Sequence, residues 1–215
     1  MQSNALVQEI VPLRDGELTV LRPRDSESLI DEHAFEQDEF LPFWAQLWPS
    51  ARALARRLDG RALRGARVVE LGCGLGVPSL AAARAGARVL ATDWSQNAVD
   101  LLADNAGANG LTVNTSRVDW AHADALVAQG PFDLVLASDV LYERRNVSLL
   151  LRLLPRLGPE VWLADPGRAF AEAFLEQAPR LWSLQTARDD RVLVHRLRRL
   201  KPEPGGLFVH HHEHG

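Results

Sequence analysis

The chain has one cysteine, one methionine and one tyrosine among its 215 residues. A single cysteine, Cys73, excludes an internal disulfide, so the cytoplasm is the expected compartment. Lysine is equally scarce: of 24 basic residues only Lys201 is lysine, a bias of composition rather than of mechanism. No apolar run approaches the ~18 residues of a membrane span. The opening "MQSNALVQEI" lacks the basic-then-apolar order of a secretory signal. Charge of one sign is missing too, with a net value of −4 and a pI near 6.0. No nucleic-acid footprint is therefore evident, and the short basic run Arg196-Leu197-Arg198-Arg199 reads as a solvated face. No internal repeat is visible. What is present is 47% hydrophobic content in a length that suits one domain with a sizeable core.

The apolar pattern then organises the chain. "LVQEIVPL" and "ELTVLRP" flank Arg14-Asp15-Gly16, which predicts a hairpin turning at Asp-Gly. "DSESLIDEHAF" reads as a short helix, and a second helix opens at Pro49 with Ala51, Leu54, Ala55 and Leu58 inward. Strands and helices alternate from there. "ARVVEL", "RVLATD", "LTVNTSRV", "FDLVLASD" and "EVWLAD" are the strands, each followed by a helical or turn segment. "WSLQTA" and "RVLVHRL" close the chain as a pair around Asp189-Asp190. This alternation predicts an α/β fold, a mostly parallel sheet covered on both faces. The expected organisation is an N-terminal extension over residues 1–40, one domain over 41–200 and a disordered tail over 201–215. The tail's histidines suggest adventitious metal contact, and no metal site is expected.

The chemistry centres on "VVELGCGLGVPSL", residues 68–80. Gly72, Gly74 and Gly76 lie between a strand and a helix, where glycine lets the backbone approach a ligand or simply turn tightly. A dinucleotide fingerprint requires glycine at 77, where Val77 stands, and a P-loop requires a lysine that is missing. Glu70, two residues before the first glycine, would repel a pyrophosphate and welcome a cation. S-adenosylmethionine fits, because it carries an ammonium, a sulfonium and a carboxylate but no phosphate. Asp93 ends the second strand 17 residues after Gly76, placed to accept from ribose hydroxyls, to cap the next helix, or both. Asp119 and Trp120 follow the third strand, suited to an adenine amino group and its ring; alone, Trp120 reads as packing. Asp139 follows the fourth strand. Trp94 and Ser138, beside Asp93 and Asp139, are counted with the expected cofactor contacts.

These residues together resemble a class I, seven-β-strand methyltransferase. "DVLY" at 139–142 resembles the Asp-x-x-Tyr element found in many protein-lysine methyltransferases. "PFWAQLWP" at 42–49 and "ADPGR" at 164–168 are similar to segments of the electron-transfer flavoprotein β-subunit lysine methyltransferase / nicotinamide N-methyltransferase-like family. The resemblance covers roughly residues 40–200 and is weak over residues 1–39, where substrate recognition is expected to differ. It implies a Rossmann-like, doubly wound sheet in the order 3-2-1-4-5-7-6 with the last-numbered strand antiparallel. It also implies that Trp48 contacts the cofactor. The nicotinamide label does not assign a substrate.

Asp139 and Tyr142 are the expected catalytic residues, Asp139 as an orienting acceptor for a nucleophile. A carboxylate alone favours an ammonium, so desolvation by aromatic neighbours is expected to help present a neutral amine. Tyr142 reads equally well as an amphipathic residue at a helix start. Trp44 reads first as a packing tryptophan and second as an entrance residue that holds a methylated ammonium; Arg168 reads as part of a Pro-Gly turn or as a rim residue that meets an acidic substrate. The expected activity is methyl transfer from S-adenosylmethionine to a protein lysine. The alternatives are methylation of a small molecule at nitrogen or oxygen, and a non-catalytic cofactor-binding module acting through partners.

Overall fold

Alternation along each central strand commits the sheet to two buried faces, and the structure bears this out. The computed structural model describes residues 5–25 and 43–201. The short helix expected from "DSESLIDEHAF" and the tail beyond Lys201 lie outside these residues. An N-terminal hairpin, β1 (Leu6–Leu13) and β2 (Gly16–Pro23), precedes helix α1 (Pro49–Leu58). Then come β3 (Arg67–Leu71), α2 (Val77–Arg84), β4 (Arg88–Asp93), α3 (Gln96–Ala108) and β5 (Asn114–Arg117). A short helix α4 (Asp124–Val127), which the sequence pattern did not suggest, leads to β6 (Leu134–Ser138) and α5 (Arg144–Leu157). The chain closes with β7 (Glu160–Asp165), α6 (Ala169–Gln177), β8 (Trp182–Asp189) and β9 (Val192–Arg199).

The seven-stranded sheet runs β5-β4-β3-β6-β7-β9-β8, the order 3-2-1-4-5-7-6 when β3 is counted first. Neighbours from β5 to β7 are parallel, and β9 is antiparallel to both β7 and β8. Side chains alternate between the faces. Val68, Leu134, Leu136, Trp162 and Ala164 pack with α1, α2 and α3. Val69, Val135, Ala137, Val161 and Leu163 pack with α5 and α6. Burial on both faces leaves the strand ends as the place where polar groups can gather.

Two expectations need adjustment. The hairpin turn is Arg14-Asp15, with Leu13 paired to Gly16 at the start of β2. Gly16 has φ +122°, and a Cβ there would lie 2.4 Å from Arg84 Nη2. The third strand is shorter than "LTVNTSRV": Leu111 N donates to Ala106 O (2.9 Å), which commits residues 109–111 to closing α3.

The hairpin buries Val11, Leu18 and Val20 in the same cluster as α2 and α3. Asn105 on α3, fully buried, ties it down. Its Oδ1 accepts from Leu21 N (2.6 Å), and its Nδ2 donates to Leu21 O and to Leu75 O in the glycine loop (both 3.2 Å). Asn105→Ala leaves these buried groups unpaired and is expected to cost roughly 2–3 kcal/mol. Denaturant unfolding at constant m-value measures it.

Candidate active site

Helices α2 and α3 connect strands laid outward from β3, after which the chain returns through the short α4 to place β6 on the other side. The carboxyl ends of β3 and β6 therefore meet at a topological switch point, where open α/β sheets form a crevice. A cavity of about 330 Å³ lies there. Its wall includes Trp44, Trp48, Gly72, Gly74, Gly76, Asp93, Trp94, Asp119, Trp120, Ser138, Asp139 and Tyr142. Every expected site residue except Glu70 is thus brought together.

The three glycines serve different purposes. A Cβ on Gly72 would press on Val140 Cγ1 (3.0 Å) and Trp120 (3.5 Å). One on Gly74 would meet the Trp44 carbonyl at 3.2 Å. One on Gly76 would overlap Leu102 Cδ1 at 2.0 Å, so its space is taken by a packing contact with α3. Only the first two keep the loop open toward the cavity wall.

Glu70 is not in that wall. It is fully buried beneath the loop, where its Oε2 accepts from Ser79 N (2.9 Å) and from the Ser79 hydroxyl. The reading of Glu70 as a receptor for a ligand cation gives way to a loop anchor, because a β3 side chain on this face points at α2. Burial pushes its carboxyl up to about 8, against the lowering effect of Ser79. Among the described residues its Oε1 has no hydrogen-bond partner.

Asp93 ties the glycine loop to the turn after β4. Oδ2 accepts from Gly74 N and Oδ1 from Ser95 N (both 2.9 Å), while the carboxylate still borders the cavity. Burial raises its pKa, and the backbone donors oppose this. Ser95 is the helix cap proper, accepting from Ala98 N. Asp119 accepts from Ala121 N and pairs with the His122 ring at 2.8 Å, which lowers its pKa. That histidine partner gave no signal in the sequence. Trp94 is covered by Arg117, whose guanidinium lies 5.0 Å from the ring centroid.

The far wall is aromatic and charged. Trp48 Nε1 donates to Phe43 O (2.8 Å), and Phe43 stands edge-on to Tyr142 with centroids 5.4 Å apart. Burial, then the neighbouring Glu143, pushes the Tyr142 phenol up to about 12. It is therefore a hydrogen-bonding hydroxyl at neutral pH. Asp139 has φ +58°, an uncommon conformation for a residue with a side chain. Its amide donates to Ala164 O (2.8 Å) on β7, which holds the turn in place. Arg168 Nε donates to Asp139 Oδ1 at 2.5 Å, and Ser50 Oγ reaches Oδ2 at 3.4 Å. Arg168 thus meets an acid inside the protein rather than standing free at the rim.

A family model described as lysine methyltransferase matches residues 33–161, more than half the chain. The chain belongs to the lysine methyltransferase family. It is 35% identical over 137 residues to the electron transfer flavoprotein beta subunit lysine methyltransferase of Xenopus laevis, covering 60% of this chain and 54% of that protein. It is 32% identical over 176 residues to EEF1A lysine methyltransferase 3 of Mus musculus, covering 75% of each. The chain therefore spans about half of the first relative's length and three quarters of the second's. The fold is similar to the Thermus thermophilus 16S rRNA N2 G1207 methyltransferase, solved with AdoMet and guanosine (TM-score 0.66, 19% identity). That likeness covers 91% of this chain and 51% of the other.

The burial of Glu70 makes a signed pH prediction. Its folded pKa lies above its unfolded value, so the native state keeps a proton that the unfolded chain releases. Stability is thus lost as pH rises from about 4.5 to about 8. Glu70→Gln retains an acceptor for Ser79 and cannot ionise. The melting temperature of wild type minus that of the variant is expected to fall across this window. A difference that does not change with pH would give Glu70 an ordinary carboxyl.

Proposed function

We propose that this chain is an S-adenosylmethionine-dependent methyltransferase acting on a protein lysine. The observation that carries the reading is one cavity bordered by both Asp93 at the glycine loop and the Asp139–Tyr142 pair. Family membership and the names of the relatives support the substrate class. The residues present fit the cofactor. Asp93 and Asp119 border the cavity, a setting that suits a cationic ligand and repels a pyrophosphate. The Asp93 oxygens accept from backbone donors and border the cavity, placed to accept also from a ribose hydroxyl. Gly72 and Gly74 are proposed to line the methionine portion, Trp120 to cover the adenine, and Asp119 to accept from its amino group. Trp48, Trp94 and Ser138 complete the contacts.

When bound, S-adenosylmethionine supplies a methyl on a positively charged sulfur, a leaving group that needs no acid. What remains for the protein is to present a neutral amine in line. A lysine has a reference pKa near 10.4, so neutrality at pH 7 costs roughly 4.6 kcal/mol. Asp139 is proposed to orient the amine by accepting one N–H, and the Tyr142 hydroxyl to share that task. Trp48 and Phe43 exclude water around them. The lone buried cysteine suits a reducing compartment such as the cytoplasm. Among the described residues, no helix is long and apolar enough to cross a membrane.

Asp93→Ala removes a charged acceptor and is expected to weaken S-adenosylmethionine binding by roughly 1.5–3 kcal/mol, read by calorimetry. For activity, labelled methyl should enter lysine in protein bands of a cell extract; label confined to small molecules would redirect the substrate assignment. Asp139→Asn keeps the shape but loses the charge. Transfer should fall by roughly a hundredfold, with cofactor affinity within about threefold of wild type.

A further inference from the structure

Asp139 poses an electrostatic problem. A bare carboxylate beside a lysine amine stabilises the ammonium, the form that cannot attack. The structure places a cation against it: Arg168 Nε lies 2.5 Å from Asp139 Oδ1, and the Asp139 side chain is 6% exposed. Arg168 is itself aimed. Asp165 Oδ1 accepts from both Gly167 N and Arg168 N (each 2.7 Å), which fixes the turn after β7. The guanidinium carbon then lies 6.0 Å from the Trp48 ring centroid.

We propose that Arg168 is a positioning residue that aims the Asp139 carboxylate and cancels its charge, so that the substrate amine is held neutral. The proposal rests on the lysine-methylation reading. The pair offers lone pairs on Asp139 to an amine N–H without presenting a net negative charge. The amine's extra proton leaves to water beforehand, and no side chain is required to carry it. The surrounding charged and titratable groups are consistent with this. From the segment after β6, Tyr142 faces Asp139, while Glu143 is paired with Arg145 at 2.6 Å. From the end of β7, Asp165 faces it, its second oxygen buried and without a partner among the described residues. From the end of β4, Asp93 faces Tyr142, and from α1 only the Ser50 hydroxyl approaches. Arg168 is thus a cation bonded directly to Asp139.

The test compares the full chain with Arg168→Gln and Arg168→Lys, each checked for folding by its melting temperature. Labelled-methyl incorporation into protein lysine is followed against pH at saturating donor. Arg168→Gln is expected to move the acid limb up by about one pH unit and to lower incorporation at pH 7 about tenfold. Arg168→Lys restores the charge and should return the limb toward wild type. Independently of turnover, n-butylamine, a mimic of the lysine side chain, is titrated into each protein at pH 7. The Gln variant should bind this ammonium about tenfold more tightly than wild type, the opposite of what a merely damaged site would do. An unmoved acid limb, or no gain in ammonium affinity, in a folded Gln variant overturns the proposal. A wild type that labels no protein lysine overturns the substrate reading, whereas the ammonium titration still judges charge cancellation.

Discussion

Where a parallel strand ends, the backbone amides of the following turn have no ladder partner, and burial makes each one costly. In this protein carboxylates satisfy them. Glu70 takes Ser79 N, Asp93 takes Gly74 N and Ser95 N, Asp119 takes Ala121 N, and Asp165 takes Gly167 N and Arg168 N. The turns after β3, β4, β5 and β7 are all held this way. The glycine loop is pinned twice, from below by Glu70 and from the side by Asp93. A cavity with a fixed outline follows from those bonds.

Asp139 is the exception. Among the described residues its carboxylate accepts from no backbone amide, only from Arg168 and Ser50 side chains. Its own turn is held instead by its amide on Ala164 O. An acid relieved of structural duty at a buried strand end is available for an incoming group. The cost is a left-handed backbone and a charge that must be matched. The neighbouring turn supplies the match, because Asp165 orders the residues that carry Arg168. The turn ordered by Asp165 and the Asp139 carboxylate are thus joined through Arg168.

The hairpin extends the same logic away from the sheet. Asn105 joins β2 to α3 and to the Leu75 carbonyl, so the N-terminal element supports the glycine loop from outside the sheet. Gly76, in the same loop, leaves room for the Leu102 side chain of α3.

Most of the fold was legible in the sequence because the periodicity is local. Alternating strands, the helix opened by Pro49 and the turns near Asp15 and Asp190 are each specified within a few residues. The family resemblance supplied the strand order. Of the candidate site residues, all but Glu70 border one cavity, since a residue just past a strand's carboxyl end has little choice of where to be. Tertiary structure alone decided the rest. Whether Glu70 faces ligand or helix depends on which face of β3 is covered by α2. Whether Gly76 serves a ligand or a packing contact depends on Leu102, 26 positions away. Asp119 gains His122, and Asp139 gains Arg168 29 residues later, through turns whose geometry is closed by long-range hydrogen bonds. Residue types and strand ends are written in the order of the chain. Which carboxylate keeps its lone pairs is settled only when distant amides and guanidinium groups compete for them in the folded interior.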